Sequence, residues 1–453
     1  MRPFMPFVPV LVLLAGCAGA DYSAQEREAA ELREALGWGA PREALDPATL
    51  PGAAALDPPL EEELQGELTL ERVSDLVVRR NPDVVAALER WVAFLERAPQ
   101  RTALPNPTVR YGYSSMFKMH TAEVMQEVPF PGKLLAEGRV ALAEARGMRW
   151  ELAERANLLR EQAASSLAML FAARRQVELL DENVELLARF IEIAQTKYAA
   201  GTATQSDVLR AQVERDGLRA ERVGYARDAE IAQSALNVLL DRAPDAPIGP
   251  VRTLPEPTPP GPLTTLFAQA FQRRPELEAS RARWEAEREM VLRSELEWVP
   301  DAVFGGAYVR DFGMDVDEVE LTAGISLPIW IGRIRAGIRE AEANVRRAEA
   351  ETRSARNRVL DEVRVAVSRL AAATEQHRIV RDDALPRAEQ NVQVTEVAYT
   401  AGQVDFLDLI DAQRMRLMQQ LELERTRAER STAEAELRRA VGEPGLPGGG
   451  GER

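Results

Sequence analysis

The sequence predicts a mainly α fold with a small β part, built as a tandem repeat of long helical hairpins. Three observations predict it. First, YAAGTATQSDVLRAQ (198–212) returns as YTAGQVDFLDLIDAQ (399–413). Tyr198/Tyr399, Ala200/Ala401, Gly201/Gly402, Asp207/Asp408, Ala211/Ala412 and Gln212/Gln413 stand in register. Second, Ala, Leu, Arg and Glu dominate and aromatics are only 6%, a composition suited to long helices. Third, two pairs of short alternating segments interrupt the helical pattern at matching places.

The repeat extends well beyond that stretch. Asn81-Pro82-Asp83 and Trp91 match Arg274-Pro275-Glu276 and Trp284, and Pro107 and Gly112 match Pro300 and Gly305 at the same displacement. VPFPGK (128–133) matches LPIWIGR (327–333) with one residue inserted. Two halves therefore follow one plan, 66–242 and 263–442, joined by a proline-rich stiff linker at 243–262. Residues 17–65 are rich in Ala, Pro and Glu and read as extended or loosely helical. The Gly-rich tail, 443–453, reads as disordered.

Within each half the elements come in the same order. A helix of about 35 residues opens it, roughly 67–101 and 263–298, closed by Leu104-Pro105-Asn106-Pro107 or Val299-Pro300-Asp301. Two strands follow: TVRYGYSSMF and HTAEVMQEVPF in the first half, DAVFGGAYVR and DEVELTAGISLPI in the second. A long helical run then covers about 134–199 or 333–399, a rod of ~100 Å at 1.5 Å per residue. Pro386 should kink or interrupt the second rod, and the first has no matching proline. Gly201 and Gly402 suit the left-handed position past each rod's end. Thr204 and Asp405 suit the N-cap of a return helix reaching Leu240 or Val441. That return helix covers only ~55 Å, so the opening helix can fill the rest of the rod's side. The doubled motif is thus the tip of a helical hairpin.

The extreme N-terminus reads as a signal peptide over 1–16: one charge, Arg2, then the apolar run FVPVLVLLAG, too short to span a bilayer. It ends Leu14-Ala15-Gly16-Cys17, and the single cysteine is the candidate lipidation site. An ordinary signal peptide cut near Ala18 or Ala20 is the alternative. No later segment has the run of apolar residues a transmembrane helix needs, so a membrane span here must be made of strands. Four strands cannot close a barrel, and open edges cannot face lipid. Several chains would have to complete one, or the strands are hairpins in water. In a barrel, Glu123, Glu127, Glu318 and Glu320 must face the lumen.

The composition excludes other classes. A net charge of −15 offers phosphates no basic face, which argues against a nucleic-acid partner. Two histidines and one cysteine leave little for a metal site, and no catalytic or phosphate-binding pattern is present; no cofactor is expected. His377, between Glu375 and Arg378, reads as solvent-facing. Met116, Met119, His120 and Met125 cluster around the first strand pair and could line a path for soft metals. The plainer reading has the methionines filling apolar surface and His120 in a turn.

The tandem repeat, the two Tyr-x-Ala-Gly tips with a following Asp, the strand pairs between helices and VPFPGK together resemble the TolC family of bacterial outer-membrane efflux proteins. The Leu-Ala-Gly-Cys box resembles its lipoprotein branch, and VPFPGK is similar to its heavy-metal branch. The resemblance implies a homotrimer in the outer membrane of a Gram-negative bacterium. Each chain would give four strands to a twelve-stranded β-barrel, and the helices would form a long periplasmic α-barrel. The partners would be a periplasmic adaptor and an inner-membrane transporter, and the chain would be no enzyme. It places the pore gate on Asp408 and Asp411, a gate network on Tyr399 and Asp207, and adaptor contact at the tips shaped by Gly201 and Gly402. A basic tip residue of some members falls on Val404 here, so the polar lock lacks a part, and Arg210 stands where the second tip has Asp411. Acidic residues in a helix's first turn also serve as caps, the reading that suits Asp405 best. The rival to a conduit is a lipid-anchored periplasmic coiled coil or adaptor without a pore.

Overall fold

The computed structural model describes residues 22–36, 64, 66–201 and 204–443. Signal peptide, Cys17 and the 444–453 tail lie outside them, as does most of 37–65. The helices are α1 (Ser23–Ala35), α2 (Leu70–Arg80), α3 (Pro82–Leu95), α4 (Arg97–Thr102), α5 (Pro131–Ala199), α6 (Gln205–Leu239), α7 (Leu263–Arg273), α8 (Pro275–Glu295), α9 (Ile331–Arg378), α10 (Leu385–Thr400) and α11 (Phe406–Val441). The strands are β1 (Thr108–Ser114), β2 (Met119–Val128), β3 (Asp301–Asp311) and β4 (Val316–Ser326). The chain divides into two compact units, and each draws on both sequence halves.

The first unit holds the sheet, α4, most of α3, α8 and the first part of α5 and α9. Its four strands run antiparallel in the order β1-β2-β3-β4, with Thr108 opposite Met125, Val128 opposite Ala302 and Asp301 opposite Ser326. Paired residues share a face, so the register sorts every side chain. Glu123, Glu127, Glu318 and Glu320 fall on one face, with Arg110 and the glycines 112, 305 and 324. Tyr111, Val124, Phe304, Val319, Leu321 and Ile325 fall on the other, and all are exposed, Leu321 by 80%. The acids thus share a side, as a barrel demands.

Beside the sheet, the start of α5 packs on α8. Gly147 brings the backbones close: a Cβ there would lie 3.8 Å from both the Ala279 carbonyl oxygen and the Ala282 Cβ. Arg139–Glu289 (2.8 Å), Arg146–Glu285 (3.1 Å) and Arg293–Glu137 (2.8 Å) flank that contact. Lys133 is the buried exception among these ion pairs. Its ammonium binds both Asp301 carboxylate oxygens (2.9 and 2.8 Å), and the Phe130 N–H donates to the same carboxylate (2.8 Å). That joint ties the exit of β2 to the entry of β3.

The second unit corrects two expectations. The opening helix of each half is not continuous. It breaks at Asn81 and at Arg274, each before a proline, because proline disfavours helical geometry in the residue preceding it. The first opening helix breaks again at Glu96. Asn81 uses the break: its side chain donates to the Leu239 carbonyl (3.0 Å) and accepts from the Asp83 N–H (2.9 Å). Arg274 does likewise, 1% exposed, donating to Glu362 (2.7 Å) and to the Arg439 carbonyl (3.2 Å). Arg439 in turn meets Glu154 (2.9 Å), so one ion cluster joins α5, α9, α11 and the turn after α7.

The second correction is His377, which is buried, 2% exposed, with Nδ1 3.2 Å from the Thr426 hydroxyl. Its charged neighbours in sequence misled. From Val359 to Val380 the buried positions are Val359, Val363, Ala366, Leu370, Ala373, His377 and Val380, alternating steps of four and three, and His377 occupies one of them. Pro386 does interrupt the second rod: a π-helical turn, Ile379–Ala384, precedes it, and the Leu385 N–H bonds the Val380 carbonyl five residues back. The proline-rich linker lies pinned to its unit. Gly249 N–H donates to the Leu64 carbonyl (2.8 Å), and Arg174 donates to the carbonyls of Gly249 (2.8 Å) and Ile248 (3.1 Å).

Burial, and then the cations Arg430, Arg427 and Arg381, lower the pKa of His377 from 6.5 to about 4. The unfolded chain therefore binds the proton first. The stability tied to neutral His377 is complete above pH 6.5 and is lost as pH falls toward 4. Thermal unfolding across that window should show the loss in the wild type and a flatter profile in His377→Gln. Parallel profiles would refute the assignment.

Candidate functional site

The residues singled out by the repeat gather at one end of the second unit. Both rods end as their glycines require: Gly201 and Gly402 have φ of +74° and +71°, where a Cβ is disfavoured. At the second tip the Gln403 N–H returns to the Ala398 carbonyl (2.9 Å) and the Ala401 N–H to that of Val397 (3.1 Å), closing the helix end. The return helices start with reciprocal caps. Thr204 N–H donates to the Asp207 carboxylate (2.9 Å), and the Asp207 N–H donates to the Thr204 hydroxyl (3.3 Å). Asp405 N–H donates to the Asp408 carboxylate (3.0 Å).

The two hairpins share one apolar core. Leu187 and Ile191 of α5, Val208 and Ala211 of α6, and Phe406 and Ile410 of α11 form its buried part. Tyr399 of α10 packs against it, its ring 5.7 Å from that of Phe406, with the Lys197 ammonium 4.0 Å above its centre. Arg414 adds a polar bridge from α11 to Glu214 of α6 (2.8 Å) and lies 3.8 Å from Asp411. With Leu409, Ile410, Ala412 and Gln413 buried, α11 turns one face outward: Asp408, Asp411, Met415 and Met418. Those four recur at helical spacing, so two carboxylates and two thioethers line a single open stripe.

The structure brings Asp408 and Asp411 together on that stripe but gives them different work. Asp408 caps its helix as well as facing out, in a reciprocal pair with Asp405, the N-cap the sequence predicts. Asp411 caps nothing and meets only Arg414 among the described residues. Tyr399 and Asp207 are not joined: among the described residues no hydrogen bond links them, and Asp207 is engaged by Thr204. Arg414 and Glu214 were missed in the sequence: the repeat matches Arg414 to Val213 and Glu214 to Met415, so duplication gave no signal for their pairing.

The methionine and histidine cluster disperses. Met119 and Met125 lie on the acid-bearing face, while His120 lies on the apolar face, in β2 and not in a turn. Its Nδ1 meets the Tyr111 hydroxyl at 2.5 Å. Among the described residues no group of three His, Cys, Asp or Glu side chains could hold a metal ion, and no helix is long and apolar enough to cross a membrane.

Comparison with known proteins agrees with this geometry. Residues 266–443 match the family of outer membrane efflux proteins. The cobalt-zinc-cadmium resistance protein CzcC of Cupriavidus metallidurans is 24% identical over 359 residues, covering 78% of this chain and 84% of that protein. Among solved structures, the outer-membrane channel OprN superposes with a TM-score of 0.71 at 19% identity, covering 88% of this chain and 96% of its own. VceC of Vibrio cholerae gives 0.68 at 19% identity (82% and 96%), and CusC gives 0.71 at 14% identity (84% and 93%). The fold is therefore that of these outer-membrane channels.

If Asp408 caps α11 and Asp411 does not, hydrogen exchange will separate them. Asp408→Ala should speed exchange across the first turn of α11, with a cost of about 1 kcal/mol. Asp411→Ala should leave those amides unchanged.

Proposed function

We propose that this protein, a TolC-like outer membrane efflux protein by its family match and its fold, is the exit duct of a tripartite efflux system. It passes substrate from an inner-membrane transporter and a periplasmic adaptor to the outside. The observation that carries this reading is the sheet: one face exposed and apolar over its middle, with Arg310, Asp317 and His120 toward its hairpin end, the other face acidic, and both edge strands without an outer neighbour in the sheet. Such a sheet suits lipid only when further copies close it, since unpaired backbone groups cost several kcal/mol in hydrocarbon. Three copies, giving four strands each, form the barrel. The 69 residues of α5 supply ~100 Å of helix to reach across the periplasm.

In this reading the tips face the inner membrane, and the stripe of Asp408 and Asp411 lines the entrance. Carboxylates from three copies around a narrow opening attract cations and hinder anions. With Val404 in place of a basic residue, and Tyr399 packed in the tip core, closure relies on the hairpin core and the Arg414–Glu214 bridge. The turns at Gly201 and Gly402 stand clear of other atoms and suit adaptor contact. A pore-less coiled coil or adaptor has no use for an exposed apolar sheet face, which sets that rival aside.

Single-channel recording in planar bilayers tests the duct and its gate together. Wild type should give discrete channels blocked by multivalent cations, and Asp408→Ala with Asp411→Ala should relieve the block and raise closed-state conductance. An unchanged block would reduce these aspartates to their local roles. A folded sample with no channels would sink the duct itself.

The lipid anchor on Cys17 belongs to the same reading. Cells fed labelled palmitate should label the wild type, and Cys17→Ser should carry none. Equal labelling would remove the anchor.

A further inference from the structure

The two sequence repeats make two strand-to-helix joints, and only one of them is filled. At the first, the Phe130 ring folds over Gly132, where an added Cβ would lie 2.5 Å from a ring carbon and 3.5 Å from Leu296. Lys133 and the Phe130 N–H both bind Asp301. The joint is thus completed by the segment entering the neighbouring strand, Leu296–Asp301. At the second joint β4 is the sheet's edge, and no neighbouring strand arrives. Gly332 has nothing within 4 Å of its Cβ position. Trp330 is 71% exposed, Ile329 is also exposed, and Arg333 reaches no acidic partner among the described residues.

The missing segment exists in the same chain, at the other edge. The displacement that relates Pro107 to Pro300 relates Ala103 to Leu296 and Thr108 to Asp301. Ala103 and residues 105–108, leading into edge strand β1, are exposed. Sizes fit as well. Where the filled joint sets Phe130 against Leu296, the open one offers Trp330 against Ala103: the ring grows as its neighbour shrinks. Prolines 105 and 107 give the entering segment a stiff, extended form that packs well on an exposed indole.

We propose that the open joint at Ile329–Arg333 receives the Ala103–Thr108 segment of a second copy of this chain, repeating between copies the joint that Phe130–Lys133 makes with Leu296–Asp301 within one. The inference rests on the multi-copy barrel. It adds which residues meet at the seam, and that the seam, unlike the joint within the chain, lacks its ion pair: Thr108 stands where Asp301 would be, opposite Arg333. The internal joint is locked by charge, and the seam is held by shape.

Restoring the missing acid tests this. In detergent-extracted trimer, Thr108→Asp should slow subunit dissociation on the order of fivefold, through a new pair with Arg333. The gain should vanish when Arg333→Ala is added. A trimer whose dissociation is unaffected by Thr108→Asp, or whose gain survives Arg333→Ala, overturns the seam. As a check that does not depend on the acid being tolerated, Thr108→Cys with Arg333→Cys should be joined between copies by a short bifunctional maleimide in isolated outer membranes. A trimer that forms no such link also overturns the seam but leaves the barrel standing. Wild-type protein that is monomeric in membranes and in detergent overturns the barrel, and the seam with it.

Discussion

The constraint on which the rest depends is the backbone hydrogen-bonding of four strands. The sheet has two open edges and a face of exposed Tyr111, Phe304, Leu321 and Ile325. In water that face costs hydrophobic free energy, and in lipid the edges cost more. The duct proposed above meets both demands, since the edges of several copies would pair and the apolar face would turn to hydrocarbon. The alternation that puts Glu123, Glu127, Glu318 and Glu320 on the opposite face then leaves a polar bore. No helix among the described residues is long and apolar enough to cross a membrane, so the strands carry that demand.

Those supports are assembled by small residues and by polar groups at breaks. Gly147 lets α5 approach α8, and Gly442, at φ +77°, lets the end of α11 close on the Arg273–Arg274 peptide, where a Cβ would lie 2.7 Å from backbone. The cluster of Arg274, Glu362, Arg439 and Glu154 sits at the break before Pro275. Burying Arg274 costs desolvation that its ion pairs roughly offset, so the cluster adds little net stability. Its effect is on position: a buried guanidinium that meets Glu362 of α9 and the Arg439 carbonyl of α11 ties the lengthwise setting of those helices to the break.

What was legible in the sequence was local or repeated. Strand alternation, the tip glycines, the caps at Thr204 and Asp405 and the disturbance before Pro386 each follow from a few neighbouring residues, and duplication made them visible twice. What was not legible depended on which surface meets which. Asn81-Pro82 and Arg274-Pro275 were visible as repeat markers, yet the breaks they impose need the Leu239 and Arg439 carbonyls to receive the freed side chains. His377 looked exposed because its neighbours are charged, and only the phase of the buried positions along α9 places it inside. Tyr399 and Asp207 carried an expectation drawn from resemblance, while within the chain each finds a nearer partner, the Phe406 ring and the Thr204 backbone.

Duplication also explains why the two halves are not interchangeable. The tips share backbone geometry, since Gly201 and Gly402 adopt nearly the same φ, and both return helices open on an Asp cap. The difference lies one turn further in. Arg210 is exposed on the first tip, and Asp411 stands on the second beside Arg414. Opposite charges stand at matched places in Arg210 and Asp411, and the bridge between the tips joins unmatched residues, Arg414 to Glu214, where the repeat places Val213 and Met415 opposite them in sequence. The stripe of Asp408 and Asp411 rides on a hairpin that Phe406 and Ile410 anchor in the shared apolar core, with the Arg414–Glu214 bridge beside it.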